Sequence, residues 1–158
     1  MGYLYHGSFY DQQELMPGFK RSGKLVRWDG TESNEFLYAT TDRTEAISQA
    51  FSSILEKQFN SIRYKTSGKE IRVVMDAKHI PTRTELARFT IYLYVIDYDA
   101  HDGWKKVNNK QNGLTTEYKT MQTIDKNIAR VEKINPKDWL EDKHLQIALE
   151  ARPVYAHW

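Results

Sequence analysis

The clearest periodic pattern of apolar residues lies between residues 42 and 58. Six apolar positions recur there at the three- and four-residue spacing of one helical face: Ala46, Ile47, Ala50, Phe51, Ile54 and Leu55. Thr41 or Asp42 precedes them as a candidate N-cap, and Glu45 follows Asp42 by three residues, as in a capping box. We therefore predict a helix that begins after this cap and ends at about Gln58.

Short segments with strand character lie before and after this helix in the sequence. They are rich in aromatic and β-branched residues and cover 3–8, 36–39, 61–65, 70–75, 89–97, 117–124 and 129–134. Ser67-Gly68 predicts a hairpin turn, Pro81 a short helix, and Asp138 a cap for a terminal helix from Trp139 to about Glu150. A few helices among many short strands favour an α+β fold with a largely antiparallel sheet.

Composition restricts the class of protein. The chain has 158 residues, of which 40% are hydrophobic and 28% charged, as expected for one globular domain over 1–158. The longest apolar run, 89–96, is far shorter than the ~20 residues of a membrane span, and no amino-terminal signal is evident. No cysteine is present, which excludes disulfides, thiolate metal sites and a cysteine nucleophile. We expect a cytoplasmic protein without a membrane partner.

The net charge is only +2, but basic residues cluster in two segments: Lys20, Arg21, Lys24 and Arg27, and Lys105, Lys106 and Lys110. Such clusters can bind nucleic acid or the phosphates of a nucleotide. A solvated lysine surface explains them equally well. The aspartates of 97–102 could hold a divalent ion, although an ordinary polar turn is the better interpretation.

Three short motifs hold the candidate chemistry. They are His6-Gly7-Ser8, Tyr38-Ala39-Thr40 and Glu117-Tyr118, and each lies at an end of a predicted strand. The first combines an imidazole, a backbone without a side chain and a hydroxyl, so that a ligand could reach main-chain N–H and C=O groups at Gly7. If these strand ends meet, the three motifs form one cleft.

In this order and spacing the motifs resemble the ADP-ribosyltransferase superfamily, in the His–Tyr–Glu branch shared by diphtheria-type toxins and poly(ADP-ribose) polymerases. The resemblance covers roughly residues 3 to 134. It implies an ADP-ribosyltransferase-like α+β fold with split, mostly antiparallel sheets and a few flanking helices. It also implies NAD as co-substrate, no metal, and transfer of ADP-ribose to a macromolecular acceptor, protein or nucleic acid.

The resemblance assigns roles to the first motif. His6 would hydrogen-bond the adenosine ribose and count among the catalytic residues. The main-chain atoms of Gly7 would bind the nicotinamide carboxamide, and Ser8 would help to hold the dinucleotide.

The other roles fall on the later motifs. Tyr38 would stack on the nicotinamide, and Phe51 would cover another side of it. Glu117 would bind the nicotinamide ribose and stabilise the positive charge that develops there when the glycosidic bond breaks. We accordingly expect His6 and Glu117 to face the same cleft.

Two departures from the family pattern bear on which transfer reaction we expect. Thr115 stands two residues before Glu117, so the Glu-x-Glu pattern of arginine-specific toxins is absent. The helix after Tyr38 lacks the second tyrosine common in the polymerases, and Phe51 is its nearest aromatic residue in register. Transfer of a single ADP-ribose is therefore expected rather than chain elongation. By analogy alone, the size suits a toxin or a phage-encoded effector.

Two alternatives stay open. An NAD glycohydrolase would use the same residues with water as acceptor. A non-catalytic module of the same fold would bind a nucleotide, a nucleic acid or a protein, and the basic residues within 20–27 and 105–110 are its best support.

Overall fold

The computed structural model describes residues 2–17, 36–59, 63–67, 70–76, 81–107, 117–139 and 146–152. The strands are β1 (Tyr3–Ser8), β2 (Leu37–Thr40), β3 (Arg63–Ser67), β4 (Glu70–Asp76), β5 (Ile91–Asp97), β6 (Lys105–Lys106), β7 (Glu117–Thr120), β8 (Ile128–Ile134) and β9 (Gln146–Arg152). The helices are α1 (Arg43–Phe59), α2 (Arg83–Leu86) and α3 (Pro136–Trp139), with one 3-10 turn at Ala100–Asp102.

The strands form two sheets. One has six strands in the order β6-β7-β2-β1-β5-β8, and the other has three in the order β3-β4-β9. The pairs β1/β2, β2/β7, β6/β7 and β3/β4 are antiparallel, whereas β4 and β9 are parallel. The predicted α+β class with split, mostly antiparallel sheets is confirmed.

Helix α1 is the element that the sequence pattern predicted best. It begins at Arg43, directly after the predicted cap, and its six periodic apolar residues are all buried: Ala46, Ile47, Ala50, Phe51, Ile54 and Leu55. Glu45 in its first turn and Lys57 in its last complement the helix dipole. The helix is therefore specified by one buried face and by favourable charges at both ends.

The chain divides into two compact units. Unit 1 comprises Met1–His6, Gln12–Arg43 and Tyr94–Val131, and unit 2 comprises Gly7–Asp11, Thr44–Leu93 and Glu132–Trp158. Within unit 1, Leu15 and Ile124 are buried and exchange backbone hydrogen bonds of 2.8 Å. Within unit 2, the ring of Phe59 contacts that of Phe89 edge-on at 5.6 Å. A single domain over 1–158 stays a prediction.

The predicted terminal helix is wrong. Helix α3 ends at Trp139, and residues 146–152 form strand β9, which pairs with β4 from Glu70↔Gln146 to Asp76↔Arg152. Ile147, Leu149 and Ala151 alternate with Gln146, Ala148, Glu150 and Arg152, of which all but Ala148 are polar, so the spacing is close to the two-residue period of a strand. The backbone hydrogen bonds of β9 are made with β4, a parallel strand far away in the sequence. Local periodicity does not reveal such a partner.

The late strand β7 is shorter than predicted and ends at Thr120. The Thr120 hydroxyl donates to the Asp102 carbonyl at 2.5 Å and accepts the Gln122 N–H at 3.1 Å. These bonds turn the chain away from the sheet. The loop before β7 also contains two elements that we did not predict, the 3-10 turn and β6.

In the part of the chain that the structure describes, no helix is long and apolar enough to cross a membrane. The basic residues 20–27, Lys110 and Thr115 lie outside the described residues.

A glycine-specific contact yields a stability prediction. A Cβ atom at Gly7 would overlap the carbonyl oxygen of Ala46 in α1, whereas one at Gly2 would meet nothing within 4 Å. Because the helix backbone cannot easily move, Gly7→Ala should lower the free energy of unfolding by about 1–3 kcal/mol. Gly2→Ala, the matched control, should change it by less than about 0.5 kcal/mol. Urea denaturation measures both, and equal stabilities would contradict the close packing.

Candidate functional site

Glu117 lies at the first position of β7, next to the central strand β2. It pairs with Thr40, and Thr40 in turn pairs with Tyr5 of β1. Directly opposed residues of antiparallel strands place their side chains on the same face. Tyr5, Thr40 and Glu117 therefore form one row across three strands. The backbone carbonyl of Glu117 accepts the Val107 N–H at 2.9 Å, which anchors the start of β7 on its other side.

Tyr38 shares this face because it precedes Thr40 by two residues. Its side chain is 37% exposed, while Leu37 and Ala39 on either side are buried. Tyr38 and Glu117 are diagonal neighbours, a relation in which Cα atoms lie about 7–8 Å apart. The structure thus brings together two of the three residues that the motifs singled out, with the ring accessible and the carboxylate half-buried.

His6 is joined to Tyr38 through the backbone. Its Nδ1 lies 2.6 Å from the Tyr38 carbonyl oxygen. Since a carbonyl can only accept, Nδ1 must donate and must carry the proton. The other side of the ring approaches buried Tyr94, with centroids 6.3 Å apart. His6 therefore holds the β2 backbone at the residue whose ring is accessible.

The shared cleft that we expected for His6 and Glu117 is not supported by the register. His6 follows Tyr5, and successive residues of a strand point to opposite faces. Tyr5 shares the face of Glu117 through Thr40, so a regular pleat directs His6 to the other face, with buried Leu4. The motif order in the sequence placed three strand ends together, but the side-chain directions depend on the pairing of the strands.

Three further predicted residues belong to unit 2. Gly7 packs against α1, so its missing side chain is explained by helix contact without a ligand. The Ser8 hydroxyl accepts the Tyr10 N–H at 3.1 Å, as in a local turn. Phe51 is fully buried and offers no surface for a ring to stack on. For Phe51, the helix periodicity correctly predicted a core position, whereas the resemblance implied a contact with the nicotinamide.

Two further residues of this face, Phe36 and Lys119, belong to none of the three motifs. Phe36 contacts the Tyr38 ring edge-on at 6.2 Å, and Lys119 lies over the Phe36 ring with its Nζ 4.2 Å from the centroid. Lys119 is also the direct pairing partner of Tyr38. Alternation along β2 could have indicated Phe36, but Lys119 depends on which strand lies beside β2.

The acidic segment 97–102 is used structurally. The Asp99 side chain accepts the His101 N–H at 2.9 Å, and the Asp102 carboxylate accepts from the Asn127 amide at 2.7 Å. These bonds fit the polar turn that we favoured. An open depression of about 680 Å³ also lies in unit 1, but its lining contains no predicted site residue: Gln12, Gln13, Glu14, Met16 and Asp125.

Comparisons with known proteins add one partial relative. No family model matches the chain, and no solved structure matches it. A curated protein of Acidothermus cellulolyticus, named "Nucleotide-binding protein", is 34% identical over 80 residues. The match covers 46% of this chain and 49% of that protein, so the chain spans about half of the relative's length.

The His6 hydrogen bond predicts a defined ring tautomer. Neutral His6 should carry its proton on Nδ1, because the Tyr38 carbonyl needs a donor there. Long-range ¹H–¹⁵N correlation spectra at a pH where the ring is neutral distinguish the two nitrogens. Exposed His101 serves as an internal comparison and should show the mixture of tautomers usual in solvent. A protonated Nε2 at His6 would contradict the observed bond.

Proposed function

We propose that this protein binds NAD over Tyr38 and Glu117 and transfers its ADP-ribose to a macromolecular acceptor. The observation that carries the proposal is the placement of an accessible tyrosine ring and a half-buried carboxylate as diagonal neighbours on one sheet face. An aromatic ring suits a flat base, and a carboxylate suits a ribose hydroxyl. The name of the partial relative, a nucleotide-binding protein, agrees with this class of ligand.

The proposed reaction breaks the bond between nicotinamide and ribose. The bonding electrons leave with nicotinamide, positive charge develops on the ribose, and an acceptor nucleophile forms the new bond at the same carbon. Glu117 would stabilise that charge and accept the proton of the nucleophile. Tyr38 would hold the nicotinamide in position by stacking. The protein thus supplies orientation and one negative charge.

His6 receives a different role from the one that the resemblance implied. Its bond to the Tyr38 carbonyl makes it a positioning residue for Tyr38. Contact between His6 and the adenosine ribose stays a prediction, as do the main-chain contacts of Gly7 and the role of Ser8.

A second candidate is a nucleotide-binding module without catalysis. The opposed faces of His6 and Glu117 favour it, because the family's three residues would then not surround one ligand. It predicts binding of NAD or another nucleotide without nicotinamide release. A glycohydrolase would release nicotinamide equally with and without an acceptor.

Replacement of Glu117 tests the reaction. Glu117→Gln keeps the shape but loses the charge, and should reduce labelling of a cell lysate by labelled NAD about 10²–10³-fold. NAD affinity, measured by calorimetry, should stay within a few-fold of the wild type. Glu14→Gln, at an exposed acid outside the site, is the matched control and should leave labelling unchanged. Full labelling by Glu117→Gln would show that the catalytic assignment is wrong.

Replacement of Tyr38 tests the binding surface. Tyr38→Ala removes the accessible ring and should weaken NAD binding by about 1–3 kcal/mol, the usual contribution of a stacked base. Tyr38→Phe keeps the ring and should bind nearly as the wild type does. Equal affinity of all three proteins would exclude Tyr38 from the nucleotide site.

A further inference from the structure

Two lysines lie directly opposite each other at one edge of the six-stranded sheet. Lys105 of β6 pairs with Lys119 of β7. Side chains of such a pair project from the same face, with Cβ atoms about 4.5–5.5 Å apart, and like charges in this position are destabilising. An anion bound between the two ammonium groups would remove that repulsion.

One of these charges is held in place by an aromatic ring. Lys119 is half-buried, and its Nζ lies 4.2 Å from the centre of the Phe36 ring. An ammonium at this distance is attracted by the ring face. Lys105 is exposed and can approach a ligand from the edge of the sheet. The pair therefore combines one fixed cation with one adaptable cation.

The pair is contiguous with the proposed nucleotide site. Lys119 pairs with Tyr38 on its other side and follows Glu117 by two residues, so all four side chains project from one face. Lys106 pairs with Tyr118 and therefore belongs to the opposite face. Among these four side chains the two lysines outnumber the one acid, Glu117. The group therefore keeps a net positive charge beside the ring of Tyr38.

We propose that Lys105 and Lys119 form a phosphate-binding subsite next to Tyr38 and Glu117. The inference rests on the proposed function for the base on Tyr38 and extends it to the anionic part of the ligand. Lysine binds phosphate as a point charge with three donors. The phosphate comes either from the pyrophosphate of NAD or from the backbone of a nucleic-acid acceptor.

Three charge-removing variants of the full chain test the subsite. Lys105→Met and Lys119→Met lose the ammonium and keep an apolar stem, and Lys106→Met is the matched control on the opposite face. Calorimetry measures the affinity for NAD and for single-stranded DNA of about 12 nucleotides, within the length that such sites bind. We expect each subsite variant to bind at least one ligand roughly tenfold more weakly, the effect of one hydrogen bond to a charged group. Lys106→Met should bind both ligands as the wild type does.

The two ligands identify the source of the phosphate. A loss confined to NAD assigns the subsite to the dinucleotide, and a loss for DNA assigns it to a nucleic-acid acceptor. If the wild type does not bind NAD but binds DNA through these lysines, the proposed NAD reaction is wrong and the phosphate-binding subsite is confirmed. The subsite is overturned if both variants bind both ligands like the wild type, if Lys106→Met is weakened equally, or if the wild type binds neither ligand.

Discussion

The pairing of β2 with β1 on one side and β7 on the other determines the geometry of the candidate site. Thr40 is the common partner, since it faces Tyr5 and Glu117 in one row. A shift of β2 by one residue would turn Tyr38 into the core and expose the apolar residues Leu37 and Ala39. Leu37 and Ala39 are buried on one face of β2 and Tyr38 is exposed on the other, which favours this register. The register places the aromatic ring beside the carboxylate.

Two residues of the first motif, His6 and Gly7, each have a structural role. Through its ring, His6 holds the Tyr38 carbonyl, while Gly7 leaves room for the carbonyl of Ala46 in α1. Both features have a sufficient cause in the packing of the protein. The His-Gly pair therefore contributes to the fold whether or not it contacts a ligand.

The face of β2 and β7 that carries Tyr38 combines aromatic, basic and acidic side chains. Phe36 and Tyr38 are neighbouring aromatic residues, and Lys119 lies over the ring of Phe36. Glu117 precedes Lys119 by two residues on β7. Aromatic rings beside lysines suit ligands with flat bases and phosphates. The Glu117 carboxylate beside Lys119 distinguishes this face from a plain anion-binding surface. In the proposed complex, it would provide the negative charge for the ribose.

The sequence by itself determined the features that depend on neighbouring residues. Helix α1, the β3/β4 hairpin, the α+β class and the buried face of the helix all follow from local periodicity and turn residues, and Phe51 was identifiable as core in this way. The tertiary structure decided what depends on distant pairing: strand β9 in place of a helix, Lys119 opposite Tyr38, and the pairing of Tyr5 with Thr40, from which a regular strand turns His6 away from Glu117. The physical reason is that the neighbours and the register of a strand decide which residues its side chains contact. In a helix, the residue spacing alone decides which side chains share a face.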